Sequence, residues 1–378
     1  MRARSSKTES RGSARFGLGP WLLLASVAFL MCSPNTCRAW YFNCGADTVG
    51  CLTAGADTVG CSLVVSGGQE AVVWDHHSTP TVVLAERRRG GEWSPREVAS
   101  AARLAPGLSV AYDRNGQPAV AYCNGITGTL HVAWRRGGAG SAFTATDVPN
   151  KSRHVLQYPV LKTIPEGWAV AFVDSNTGTL KYAEKIGANP WKPVTVDAAH
   201  RPQGISMVVR GSARAISYYD RNKQGMWVAT RSKGAWTRAL IDSGEGGAYH
   251  SLADDPVTNH LGVAYYDAAH RRLKYAFQDR DGWHRTVVDA GGDVGRYCSL
   301  VQLGHSVTDS LIVTYYDATN GHLRYARKLG QAWVTDVLDS DSDVGAFSSA
   351  AVVGDSLHVV YQRLSDHTMR FLTHSAFH

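Results

Sequence analysis

The feature that most constrains this chain is a tandem repeat, because a repeat with a period in the forties dictates how its units must stack. Three copies stand out: AISYYDRNKQGMWVATRSKGAWTRALIDS, GVAYYDAAHRRLKYAFQDRDGWHRTVVDA and IVTYYDATNGHLRYARKLGQAWVTDVLDS. In each, an Asp closes the YYD triplet (Asp220, Asp267, Asp317), and a Trp follows 16 residues later (Trp236, Trp283, Trp333). Fainter copies precede them, with Asp75 and Trp93, Asn124 and Phe143, and Asp174 and Trp191. A last, incomplete copy, LHVVYQRLSDHTMRFL, has Gln362 in the Asp register. The seven anchors lie 49, 50, 46, 47, 50 and 45 residues apart.

Each unit divides into four short segments rich in Val, Tyr, Leu and Ala, with Gly, Asp and Asn between them, which is the punctuation of strands and turns. In the fifth unit they are 250–253, 261–266, 273–277 and 284–288. No window carries a sustained helical period. Four strands per unit at this spacing specify propeller blades. The expected fold is all-β, a seven-bladed propeller of four-stranded blades, with six blades as the alternative. The recurring Trp and Tyr fit the wedge between neighbouring sheets.

The seventh unit ends after its third strand, so a fourth must come from elsewhere, and an N-terminal strand around Trp40 to Asn43 is the candidate. Without it, a sheet edge would stay open to aggregation. Next comes GADTVGCLTAGADTVGC, in which residues 45–51 and 55–61 are identical. The second copy continues as CSLVV and matches an inter-blade loop at 292–301, so it reads as the true loop and the first copy as a duplication. The organisation expected is a signal peptide at 1–39, a closing strand and duplicated linker at 40–61, and the propeller at 62–378.

Residues 1–39 carry six Lys/Arg against one acid, then an apolar run from Trp21 to Met31 and small residues at Cys37 and Ala39, the layout of a cleaved signal peptide. Eleven apolar residues are short for a bilayer span. The mature chain is therefore expected to be secreted, extracellular or periplasmic, with no membrane span. Lipid anchoring through Cys32 is the alternative, although Met31 before it is bulky for that signal. Cleavage leaves Cys44, Cys51, Cys61, Cys123 and Cys298, an odd number, and the close trio Cys44, Cys51 and Cys61 is the expected source of a disulfide. Whole-chain charge is +7, but outside the leader 33 basic residues face 31 acidic ones, which gives no electrostatic reason to bind nucleic acid. A monomer is expected.

The YYD...LKYA...W...VDS...DVG...SL pattern resembles the repeats of uncharacterised secreted bacterial propellers near the sialidase-like and Asp-box propellers. The resemblance covers 55–378 and implies a fold, with no established activity. An Asp-box reads Ser-x-Asp-x-Gly-x-Thr-Trp between third and fourth strands. Here the turns read QDRDGW, SKGAW and LGQAW, so only Gly and Trp persist, at altered spacing. The three-arginine cluster and Tyr/Glu pair that a sialidase requires have no counterpart that the sequence nominates.

The Asp that ends each second strand should open on one face of the ring. Asp75, Asp174, Asp220, Asp267 and Asp317, with His76 and His77 after the first, therefore form a candidate ligand-binding mouth. Such carboxylates accept hydrogen bonds from sugar hydroxyls or hold a cation, but Asp also caps its own turn, and recurrence in unit after unit favours the cap. His270, His322 and His367 lie in equivalent turns without a metal-ligand spacing. Arg87, Arg88, Arg89, Arg135 and Arg136 fall at or after third strands, on a solvated face away from the mouth. No G-x-S-x-G, GxxxxGK[ST] or CxxC occurs. These features point to a non-catalytic binding or interaction module for glycan or protein, with no catalytic residue, metal or cofactor. A sialidase-like glycoside hydrolase or polysaccharide lyase is the alternative.

Overall fold

A computed structural model describes residues 50–52, 61–76, 80–101, 103–138, 140–150, 154–244, 246–254, 260–302 and 311–375. Its regular structure is all strand, in seven four-stranded antiparallel sheets. Blades 1 to 6 occupy 61–100, 104–148, 156–197, 202–243, 246–289 and 294–339. Blade 7 combines 344–374 with the N-terminal strand Gly50–Leu52. Within blades 1 to 6 the strands lie in chain order; in the fifth these are Gly246–Asp254, Leu261–Asp267, Arg272–Asp279 and Gly282–Asp289. First strands of consecutive blades touch all round the axis, including blade 7 against blade 1. The protein is a seven-bladed β-propeller. Among the described residues no helix is long and apolar enough to cross a membrane.

Closure uses an N-terminal strand, but not the one the sequence suggested. Gly50–Leu52 runs antiparallel to the last strand, with Gly50 opposite Phe371, Cys51 opposite Arg370 and Leu52 opposite Met369. The stretch 40–43 lies outside the described residues, as do residues 1–39. The tandem copy thus has a structural use: the end of the first GADTVGC completes blade 7, and the Cys ending the second opens blade 1. Pairing also moves two anchors by one residue. In blade 6, Tyr315 faces Arg324 and Asp317 faces His322. In blade 7, Tyr361 faces Arg370, and Arg363 hydrogen-bonds Thr368 across the turn, so Arg363 rather than Gln362 holds the Asp position. In blade 1, Leu63 pairs with Val72 and Val72 with Ala85, as Leu300 pairs with Val313 and Val313 with Ala326. His76 therefore stands where blade 6 has Asp317, and Asp75 where it has Tyr316.

Neighbouring blades are joined by three repeated devices. A Ser in the middle of a first strand accepts the next blade's N–H: Leu161 N to Ser109 Oγ, Leu252 N to Ser206 Oγ, Ala350 N to Ser299 Oγ, and Leu63 N to Ser349 Oγ across the closing seam. The fourth-strand Trp packs edge-on against a third-strand aromatic of the preceding blade, with centroids 5.3 Å apart for Trp236 and Tyr182, Trp333 and Tyr275, and Trp93 and Phe371. This is the wedge-filling role expected of that Trp, worth roughly 0.5–1.5 kcal/mol per pair beyond area burial.

The third device is a buried Tyr–Asp bond between blades. Tyr265, Tyr315 and Tyr361 donate to Asp242, Asp289 and Asp339 at the end of the preceding blade, at 2.7, 2.6 and 2.6 Å. Tyr218 donates likewise to Asp197. A base completes each set: Arg238 at 2.9 Å from Asp197, Lys274 on Asp242, Arg324 at 3.0 Å from Asp289 and Arg370 at 2.9 Å from Asp339. The seam between blades 2 and 3 carries the apolar version, with Val148 and Phe172 in place of Asp and Tyr.

Candidate functional site

Each first strand begins on the face where second strands end, and six of them break register within their first few residues. Such a bulge turns one residue out of the sheet. Taking the conserved pairing position held by Ser251, Ser299 and Ser349, the residue two earlier is Tyr249, Tyr297 or Phe347; the matching residues elsewhere are Gly107, Tyr158 and Gly204. Tyr158, Tyr297 and Phe347 have φ of 53°, 53° and 51°, a left-handed conformation that costs a bulky side chain about 1–3 kcal/mol. Gly107 has φ 98°, and a Cβ there would meet Tyr158 Cα at 2.8 Å, so blade 2 can hold only Gly.

Aromatic rings at this position meet at the axis, two of them on left-handed backbone. Tyr249 and Tyr297 have centroids 4.4 Å apart, and so do Tyr297 and Phe347. The second Tyr of the YYD triplet backs this arc: Tyr266 lies 6.2 Å from Tyr249, and Tyr316 6.3 Å from Tyr297. The arc borders a cavity of about 300 Å³ to which six blades contribute, with Tyr158, Ile205, His250 and Cys298 also in its wall. Beside the arc, Tyr266 Oη and Arg296 Nη2 both donate to Asp293, each at 2.7 Å, and the Arg296 guanidinium lies 5.5 Å from the Tyr266 ring centroid.

Burial, then a hydrogen bond with Tyr249, pushes the Tyr297 phenol well above its ordinary range, so it stays protonated and offers a hydroxyl at neutral pH. Burial pushes the Cys298 thiol up to about 12 and Cys61 higher still, with Asp75 adding to the latter. Neither is a thiolate nucleophile at neutral pH. The Cys61 thiol donates to Phe347 O at 3.0 Å, and Cys61, Cys123 and Cys298 are all free. Cys61 therefore drops out of the disulfide expected within its trio; Cys44 and the Cys51 side chain lie outside the described residues. Burial also lowers the His250 pKa, leaving a neutral imidazole in the cavity wall whose Nδ1 lies 2.7 Å from Gly247 O.

The carboxylates nominated from sequence are buried in their own turns. Asp174 accepts from Thr177 N and contacts His154 and Lys181. Asp220 accepts from Asn222 N and Arg201 N. Asp267 accepts from His270 and Arg272, and Asp317 from Thr319 N, Asn320 N and Asn320 Nδ2. Asn124 caps its turn in the same way. These carboxylates fix the hairpins that rim the mouth. Asp75, buried in the second-Tyr position, sits below that rim; His76 ends its strand, and His77 lies outside the described residues. Among the described residues no group of three or more His, Cys, Asp or Glu is placed to hold a metal. The aromatic arc was not foreseen, although the recurring G-x-[Y/F]-x-S of GAYHS, GRYCS and GAFSS carries its signal.

No protein-family model matches the sequence, and no curated protein does. Solved structures resemble the fold at low identity. A polysaccharide lyase described as an ulvan lyase bound to -[GlcA(1-4)Rha3S]- aligns over 86% of this chain and 98% of its own, with 10% identity and a TM-score of 0.60. Hydrazine synthase of Kuenenia stuttgartiensis aligns over 85% and 97%, with 9% identity and a TM-score of 0.60. A Hadza microbial sialidase aligns over 85% and 66%, with 13% identity and a TM-score of 0.47. Equal likeness to a lyase and to hydrazine synthase shows the shared propeller and nothing of chemistry.

Proposed function

We propose that this propeller is a secreted or cell-surface module that binds glycan at the axial mouth, without catalysis. The observation that carries the reading is the arc of Tyr249, Tyr297 and Phe347, of which Tyr297 and Phe347 are held at the axis by left-handed backbone. Flat aromatic faces suit the apolar faces of sugar rings, and the neighbouring phenols and the Arg296–Asp293 pair supply donors and acceptors for hydroxyls. Strain retained in three blades at one spot is a mark of function, since the fold itself accepts Gly there in blades 2 and 4. The buried Cys61 and Cys298 thiols stay protonated at neutral pH and supply no thiolate nucleophile at the mouth. His250 is the one feature that favours the alternative, β-elimination, for which a neutral imidazole is a competent base.

The test is titration calorimetry of residues 40–378 with a panel of neutral and uronate-containing oligosaccharides. At least one should bind, and Tyr297→Ala should weaken it about tenfold, or ~1.4 kcal/mol. Unsaturated sugar products appearing on incubation would replace the non-catalytic reading with the lyase. Binding unchanged in Tyr297→Ala, or no binding by any member of the panel, would remove the mouth as a glycan site.

A further inference from the structure

The arginines that sequence placed on a solvated face line a second cavity. It holds about 450 Å³, lies between blades 1 and 2, and opens on the face opposite the aromatic mouth, where third strands end and first strands turn into second ones. Blade 1 contributes Arg88, at the end of strand Thr81–Arg88, and Arg96, on strand Ser94–Ser100. Blade 2 contributes Tyr112, Gln117 and Arg135.

Two features set this cleft apart from an ordinary basic surface. Arg135 is only 4% exposed and Tyr112 5%, and both are lining residues with unsatisfied atoms: among the described residues Tyr112 Oη, Gln117 Oε1 and Arg135 Nε find no hydrogen-bond partner. A buried hydroxyl without a partner costs about 1–3 kcal/mol, a cost that a bound water, ion or ligand would relieve. The charge in the walls is also unbalanced. Arg135 is held by Glu86 through two bonds of 2.5 and 3.0 Å, and Arg87 by the buried Glu70 at 2.6 Å. Arg88 and Arg96 make no ion pair among the described residues, and the only other acid in the wall is the exposed Glu92.

We propose that this cleft is a binding site for a small oxyanion-bearing ligand. Arg88 and Arg96 meet the charge, Tyr112 Oη donates to an anionic oxygen, and Gln117 Oε1 accepts from a hydroxyl on the same molecule. Carboxylate, sulfate and phosphate share the recognising chemistry. The site is independent of the aromatic mouth, which lies at the other end of the first strands.

The experiment is calorimetric titration of residues 40–378 with inorganic sulfate, inorganic phosphate and glucuronate in separate arms, at ionic strength fixed with chloride. Saturable binding is expected in at least one arm, and which arm responds identifies the anion. Arg88→Gln/Arg96→Gln should weaken it at least fivefold. Tyr112→Phe should weaken it while leaving the melting temperature of the free protein equal or higher, because it removes a hydroxyl that has no partner. Tyr297→Ala should leave it unchanged. Absence of saturable heat in all three arms, or equal affinity in the arginine double variant, would overturn the proposal. A Tyr112→Phe protein that melts lower and binds normally would also do so, because the hydroxyl would then serve the fold alone.

Discussion

Replacing Tyr315 by Phe tests how the blades are held together. The Tyr315 ring is wholly buried and its hydroxyl donates to Asp289 Oδ2 at 2.6 Å, while Arg324 approaches the same oxygen at 3.0 Å. The substitution keeps the ring and removes one hydrogen bond to a charged acceptor, a loss of about 1.5–3 kcal/mol. Asp289 keeps Arg324, so the cost should stay near 2 kcal/mol and not reach the roughly 3–5 kcal/mol of a buried charge left alone. The reverse substitution is informative: Phe172→Tyr would bury a hydroxyl at the seam where Val148 stands in the Asp position, and should cost about 1–3 kcal/mol. Both are read from urea unfolding, as a midpoint shift at constant slope. If Tyr315→Phe unfolds within 0.5 kcal/mol of the parent, or Phe172→Tyr is the more stable protein, the polar seams do not hold the ring as argued.

Acid should loosen the same framework. Burial by itself would raise the Asp197 pKa, but bonds from Tyr218, Ala199 N and His200 outweigh it and hold the carboxyl below its usual range; Asp174 and Asp267 are likewise held down by their turn contacts. A depressed folded-state pKa gives stability that is present above the unfolded value, about 3.9, and is lost as pH falls through the folded one. Melting temperature should therefore fall steeply below about pH 4, and a flat profile from pH 6 to 3 would contradict these assignments. At the axis, Gly107→Ala should destabilise by roughly 2–4 kcal/mol through left-handed strain and collision with Tyr158; a melting temperature equal to the parent's would show that the bulge relaxes freely.

The blades were legible because their wedge packing needs large aromatics at fixed places, and Trp236, Trp283 and Trp333 are spaced by that need. Registers slipped by one in blades 1 and 7 for a physical reason: Asp75 and Gln362 resemble the consensus Asp, but strand pairing, which sequence does not display, puts His76 and Arg363 there. The turn role of Asp174, Asp220, Asp267 and Asp317 could be read from recurrence alone. The Tyr–Asp seams and the aromatic arc could not, since each joins residues from different blades, 21 to 50 apart, that meet only when the ring bends round. Gly50–Leu52 escaped notice because a three-residue strand has no periodicity to betray it.

Ring closure by that strand is the claim on which the axial mouth depends, and backbone hydrogen exchange tests it directly. In the intact chain, amides of 50–52 and 369–374 should be protected to the degree seen in the fourth strands of other blades, and starting the chain at residue 53 should strip protection from 369–374 first. Rapid exchange of both segments in the intact protein, or full protection of 369–374 after the truncation, would mean that the seventh blade closes by some other means.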